Sequence, residues 1–108
     1  MKHPKAKGSR LERKVARMIR EKGLDKKASR MPLSGGFWQL KSDIFTTLPY
    51  AIEVKNQETI HFWTWWNKIR DQAGYKTPML VISGNNRPII SCIELDKLLD
   101  LMKNENNN

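Results

Sequence analysis

The run Ile52-Glu53-Val54-Lys55 limits what this chain can fold into more than any other stretch. Apolar and charged residues alternate, which is the period of a β-strand. On a strand, Ile52 and Val54 enter a core while Glu53 and Lys55 share the opposite face. Asp43 precedes Glu53 with nine residues between them, enough for one earlier strand and a turn. A hairpin-like return would bring Asp43 alongside, so that two hard oxygen ligands meet an ammonium group at one point. That is the minimum apparatus for a magnesium-dependent attack on a phosphodiester. The same residues also fit the wet face of an ordinary antiparallel hairpin, where such a charge pair adds little stability. The rest of the chain decides between the two.

Its 108 residues suffice for one compact domain, 1–108, with one core. A hydrophobic fraction of 39% and four tryptophans argue for a folded protein rather than a disordered one. The formal charge of +9 is placed unevenly. Residues 1–30 hold twelve Lys or Arg against three acids, while residues 31–108 hold eight of each sign. All the surplus therefore lies in the first segment. Such asymmetry points to a polyanion, because each cation near a phosphate releases condensed counterions. An anionic membrane would also attract it, but the first helix has no aromatic residue on its apolar side, unlike an interfacial anchor. Nucleic acid is the partner the charge favours, with neither a membrane nor a small-molecule substrate. The single Cys92 allows no intrachain disulfide and sits in an apolar run, as a small core thiol would. The lack of a signal peptide or long apolar segment fits an intracellular, cytoplasmic protein.

Along the chain, residues 1–8 read as a flexible basic arm. A helix is expected from Ser9, whose hydroxyl would cap it with Glu12 in capping-box position. Leu11, Val15, Met18 and Ile19 form its apolar stripe, Arg10, Arg13, Lys14, Arg17 and Arg20 cover the other side, and Gly23 stops it. Residues 28–36 read as extended chain and loop around Pro32 and Gly35-Gly36. Strands are expected over 37–45 and 50–55, a helix over 62–73, a strand pair over 78–83 and 88–93 around Gly84-Asn85-Asn86, and a closing helix over 94–103. Residues 104–108 read as a frayed tail. The order αβββαββα describes an α/β fold: a central mixed sheet of about five strands flanked by helices. Phe62, Trp66, Ile69 and Ala73 make one helical stripe for the core. Trp63 and Trp65 lie off it, placed to stack on unpaired bases or to pack in a dimer interface, with a peripheral core position open to Trp65. His61 reads as a helix-start residue rather than a ligand.

Four blocks in this order resemble the PD-(D/E)XK nuclease superfamily, and within it the archaeal and phage Holliday junction resolvases. They are Gly8-Ser9-Arg10-Leu11-Glu12, Arg30-Met31-Pro32-Leu33-Ser34-Gly35, Ser42-Asp43-Ile44 and Ile52-Glu53-Val54-Lys55. The resemblance implies a restriction-endonuclease-like core and a metal-dependent endodeoxyribonuclease. Asp43, Glu53 and the main-chain carbonyl of Val54 would hold magnesium, for which manganese would substitute. Lys55 would orient or help deprotonate the attacking water. Glu12 would reach the metal directly or through water, and Ser34 would line the site. Arg30 would grip the DNA backbone, and Gln72 falls where related nucleases often keep a glutamine. Carboxylates and a carbonyl suit such a metal, and the reaction needs charge neutralised on nonbridging oxygens. Arg10, Arg13, Lys14 and Arg17 would bind phosphates without reading bases. The expected function is a resolvase making paired nicks in four-way DNA junctions as a homodimer, with roles in recombination and repair. A flap, nicking or restriction-like enzyme of a phage or mobile element is the near alternative. A non-catalytic DNA-binding protein retaining the fold is the distant one.

Overall fold

A computed structural model describes residues 4–31 and 42–106. The elements run α1 (Pro4–Glu21), β1 (Ser29–Arg30), β2 (Ile44–Phe45), β3 (Tyr50–Asn56), α2 (Phe62–Gln72), β4 (Thr77–Ser83), β5 (Ile90–Cys92) and α3 (Leu95–Asn106). The expected α/β order αβββαββα is present, but the strands do not form one five-stranded sheet. β3, β4 and β5 make a mixed sheet in that order, while β1 and β2 form a separate antiparallel pair. β3 runs parallel to β4, with Glu53 opposite Leu80 and Val54 opposite Val81. β5 returns antiparallel to β4.

The parallel pairing has a direct consequence. Parallel neighbours need a crossover, here α2, so both faces of β3 are covered. On one face, Ile52, Val54 and Val81 pack with Ile44 of β2 and with Leu11, Val15 and Ala16 of α1. On the other, Ala51 and Leu80 pack with Trp65, Trp66, Ile69 and Ala73 from α2 and its end. Glu53 shares that second face. It is therefore not on a wet face, as the hairpin reading expected, but only 2% exposed.

Helix α1 starts at Pro4, so the expected arm over 1–8 is helical from that point, and Ser9 stands inside the helix rather than capping it. The capping box with Glu12 does not form. Met18 is exposed, and Ala16 takes the core place expected of it. The stop at Gly23 is as expected. It adopts φ 76°, and the Leu24 N–H donates to the Ile19 carbonyl at 3.2 Å, as in a Schellman closure. Strand β2 covers only the end of the strand expected over 37–45, of which residues 37–41 lie outside the described part. Trp65 is core, whereas Trp63 is exposed. Cys92 is half-buried against the α2-side core, and burial pushes its thiol pKa up. α3 continues to Asn106, past the tail expected to fray from 104.

Candidate active site

Asp43 immediately precedes β2 and ties three segments together. Its carbonyl accepts from the Met31 N–H at 2.7 Å, beside β1. Its own N–H donates to the Ile52 carbonyl of β3 at 2.8 Å. Its carboxylate Oδ2 then accepts from the Val54 N–H at 2.7 Å. A side chain thus takes the place of a main-chain partner at the edge of β3, which holds the two sheets side by side without a continuous ladder. In a strand, the N–H and C=O of one residue project to the same side. The Val54 carbonyl is consequently directed to the edge that carries Asp43.

Glu53 approaches from β3 itself. Its Oε2 pairs with Lys68 Nζ at 3.2 Å and with Lys55 Nζ at 3.6 Å. A buried carboxylate needs such partners, because an unpaired charge in the interior is strongly destabilising. Lys55 also stands 5.6 Å from the centroid of the Trp65 ring, so the buried indole fixes its direction. The carboxylates feel one another. Asp43 is pushed up to about 6, first by burial and then by the negative charge of Glu53, with a smaller push from Glu12. The Val54 N–H and Lys68 pull it the other way.

Glu12 lies on the side of α1 that faces β1. Its Oε1 accepts from Arg30 Nε at 3.2 Å, while Arg30 Nη2 donates to Ser9 Oγ at 3.0 Å. Arg30 is thus engaged with α1. Arg10, Arg13, Lys14 and Arg17 are exposed on α1, with Arg17 paired to Glu21 at 3.6 Å. Gln72 lines a cleft of about 240 Å³ with Met31, Ser42, Ile44 and Thr46. Its Oε1 is buried and has no hydrogen-bond partner among the described residues. Ser34 lies outside the described residues.

Lys68 was not singled out by the sequence. A signal for it exists: on α2 it follows Trp65 by three residues and precedes Gln72 by four, so the three share a helix face. With Trp65 turned into the core, Lys68 has to overhang β3.

A family model described as phage putative PDDEXK endonuclease matches residues 3–108. The chain belongs to that family. The Glu53-Val54-Lys55 segment lies within the matched residues and has the acid-x-Lys form that the family name spells. No curated protein and no solved structure matches the chain. Among the described residues, no group of three or more His, Cys, Asp or Glu stands close enough to hold a metal ion. The groups that a cation would meet here are the two carboxylates of Asp43 and Glu53 and the Val54 carbonyl. That set suits magnesium, which commonly takes one or two carboxylates and fills its other positions with water and substrate phosphate. A site where burial and a second carboxylate raise the pKa of Asp43 is one that a divalent cation would relieve. The residues fit the group. No helix among the described residues is long and apolar enough to cross a membrane.

Proposed function

We propose that this protein is a divalent-metal-dependent endonuclease that nicks branched DNA, with a four-way junction as its substrate and a homodimer as its working form. The observation that carries the catalytic part is the convergence of Asp43 and Glu53 beside two ammonium groups, with Asp43 raised to about 6. Asp43, Glu53 and the Val54 carbonyl would hold magnesium or manganese. When bound, such an ion neutralises charge on the scissile phosphate and lowers the pKa of a coordinated water.

The chain's own residues do the rest. Lys55, held by Glu53 and Trp65, directs an ammonium group at the reacting phosphate and is placed to order the attacking water. Lys68 keeps Glu53 in one orientation, so its carboxylate is set before substrate arrives. Glu12 completes the acidic surround at one remove and holds Arg30 in place. Gln72 carries a buried amide oxygen with no hydrogen-bond partner among the described residues, suited to an internal water. The exposed cations of α1 supply phosphate contacts that sense backbone shape rather than base sequence. Junction preference and two-fold pairing of nicks rest on the resemblance of the four sequence blocks and on the fit between a two-fold enzyme and a two-fold substrate. Ser34, recombination and repair belong to the same reading.

The test is cleavage of a matched panel: a four-way junction, a flap, a nicked duplex and a linear duplex, each with magnesium, manganese or chelator. The expected result is metal-dependent nicking, strongest on the junction and symmetric across it. Preference for the flap or linear duplex would reassign the substrate and keep the chemistry. No cleavage of any member, with binding intact, would leave a non-catalytic DNA-binding protein.

A further inference from the structure

The helix α3 buries none of its side chains. Leu95, Leu98, Leu99 and Met102 recur at helical spacing, and with Leu101 beside them they are 43 to 67% exposed. A contiguous apolar stripe of this kind marks a surface meant to be covered. On the opposite side of the sheet from α2 lies an apolar groove of about 370 Å³. Val15, Met18 and Ile19 of α1 form one wall, Leu24 closes an end, and Met79 and Ile89 belong to the sheet side. The chain's own α3 leaves β5 without filling it.

We infer that these two surfaces are halves of one interface: α3 of each copy lies in the α1-side groove of a second copy. Charge favours this pairing over two α3 helices packed together. α1 carries seven basic residues against two acidic ones, and Lys22 lines the groove. Glu94, Asp96, Asp100 and Glu105 make α3 and its first approach acidic overall, against Lys97 and Lys103. Two acidic helices side by side would repel, whereas an acidic helix beside the basic helix α1, in a groove that Lys22 lines, is complementary. Area favours the exchange being reciprocal. A twelve-residue helix is about 18 Å long. One such contact falls short of the roughly 800 Å² per partner of a standard interface, and a two-fold exchange doubles it. The surface gives the proposed homodimer its geometry, but it does not depend on the nuclease reading.

Light scattering on the purified full chain, without DNA and with chelator, tests it. The wild type should show twice the mass of one chain at micromolar concentration. Leu98→Lys/Leu99→Lys/Met102→Lys and, separately, Met18→Glu should each show the mass of one chain with unchanged far-ultraviolet circular dichroism. All four positions are exposed in the single chain, so folding should survive these changes. Hydrogen exchange on the wild type gives a second reading: dilution should deprotect the amides of α3 and of residues 15–24 together. A monomeric wild type, a Met18→Glu protein that stays dimeric, or loss of α3 protection with residues 15–24 unchanged would overturn the inference. None of these readouts depends on cleavage.

Discussion

Asp25 and Asp43 are alike in chemistry and opposite in consequence. Each sits in irregular chain between elements, and each accepts from backbone N–H groups. Asp25 follows α1, and its Oδ2 receives Thr46 Oγ1 at 2.7 Å and the Thr47 N–H at 2.9 Å, while Oδ1 receives the Lys27 N–H at 3.0 Å. Those bonds, that of the Thr46 hydroxyl first, lower its pKa to about 2. Asp43 receives the Val54 N–H at 2.7 Å, yet burial and the charge of Glu53 raise it to about 6. The first carboxylate is bound in its charged form by the fold. The second is held in a place where its charge is opposed. A hydrogen bond of the same length thus carries no fixed meaning; what decides is whether burial and like charge outweigh it. The fold uses Asp25 to stabilise itself and holds Asp43 where its charge is disfavoured.

The largest way to break the comparison is Asp43→Asn. If Asp43 is one of two carboxylate ligands, as proposed, its loss removes transition-state stabilisation of several kcal/mol, so metal-dependent nicking should fall by ~10³-fold or more. The same variant should be more stable than wild type without metal. An Asp43 that titrates near 6 when folded and near 3.8 when unfolded binds more protons in the folded state between those values. Stability therefore falls as pH rises through that window, and the penalty is complete above about 6. Asparagine keeps an acceptor for the Val54 N–H without the charge, so it should gain on the order of 2 kcal/mol at pH 7.5 and nothing near pH 3. Denaturant melts at several pH values, with chelator, read this directly. Magnesium should raise the melting temperature of the wild type and leave that of Asp43→Asn unmoved. A variant that is inactive and also destabilised at pH 7.5 would show that Asp43 is a structural carboxylate like Asp25.

Lys68→Ala sharpens the comparison by weakening only the offset. Lys68 lowers the pKa of Asp43 and pairs with Glu53 at 3.2 Å, but half of its side chain is in solvent. The remaining Lys55 keeps Glu53 paired. Nicking should drop about tenfold, in the range of a positioned charge rather than a ligand. The rising limb of the pH–rate profile should move to higher pH, since Asp43 loses a cation that favours its charged form. A drop in rate with the limb unmoved would reduce Lys68 to a packing role.

The sequence exposed much of this site, though unevenly. The alternation at residues 52–55 and the apolar stripe of α2 are local patterns, and local patterns survive into the structure because strand and helix periods fix them. The stop at Gly23 is legible for the same reason: a left-handed position after a helix favours glycine. The burial of Glu53 is not local. It follows from β4 pairing parallel to β3, with α2 crossing over the charged face, whereas a hairpin reading leaves that face wet. Trp65 and Lys68 then acquire their places together, one under Lys55 and the other over Glu53. The start of α1 misled for a different reason. Ser9 and Glu12 have capping-box spacing, but both side chains are engaged by Arg30, so the helix runs back to Pro4 without them. Motif spacing reports which groups can meet, and competing partners decide which do.

The smallest expected effect belongs to Asp25, because its carboxylate is shared among several donors and no single one is indispensable. Asp25→Asn keeps an oxygen for the Thr46 hydroxyl or the Thr47 N–H but loses the charge that strengthens both bonds. The depressed pKa fixes the sign. Wild-type stability from this group is fully present above the ordinary carboxylate value and is lost as pH falls toward 2. The variant should therefore be slightly less stable at neutral pH and less sensitive to acid between pH 4 and 2, so the two unfolding curves should converge at the acid end. The difference runs opposite to that of Asp43→Asn, which is favoured at high pH. Nicking by Asp25→Asn, measured well below its melting temperature, should equal wild type, since Asp25 joins the loop after α1 to residues 46 and 47 and not to Glu53 or Lys55. If nicking fell while stability held, the tether at Asp25 would have to set the placement of Asp43 through β2, and the two aspartates would be one device rather than two.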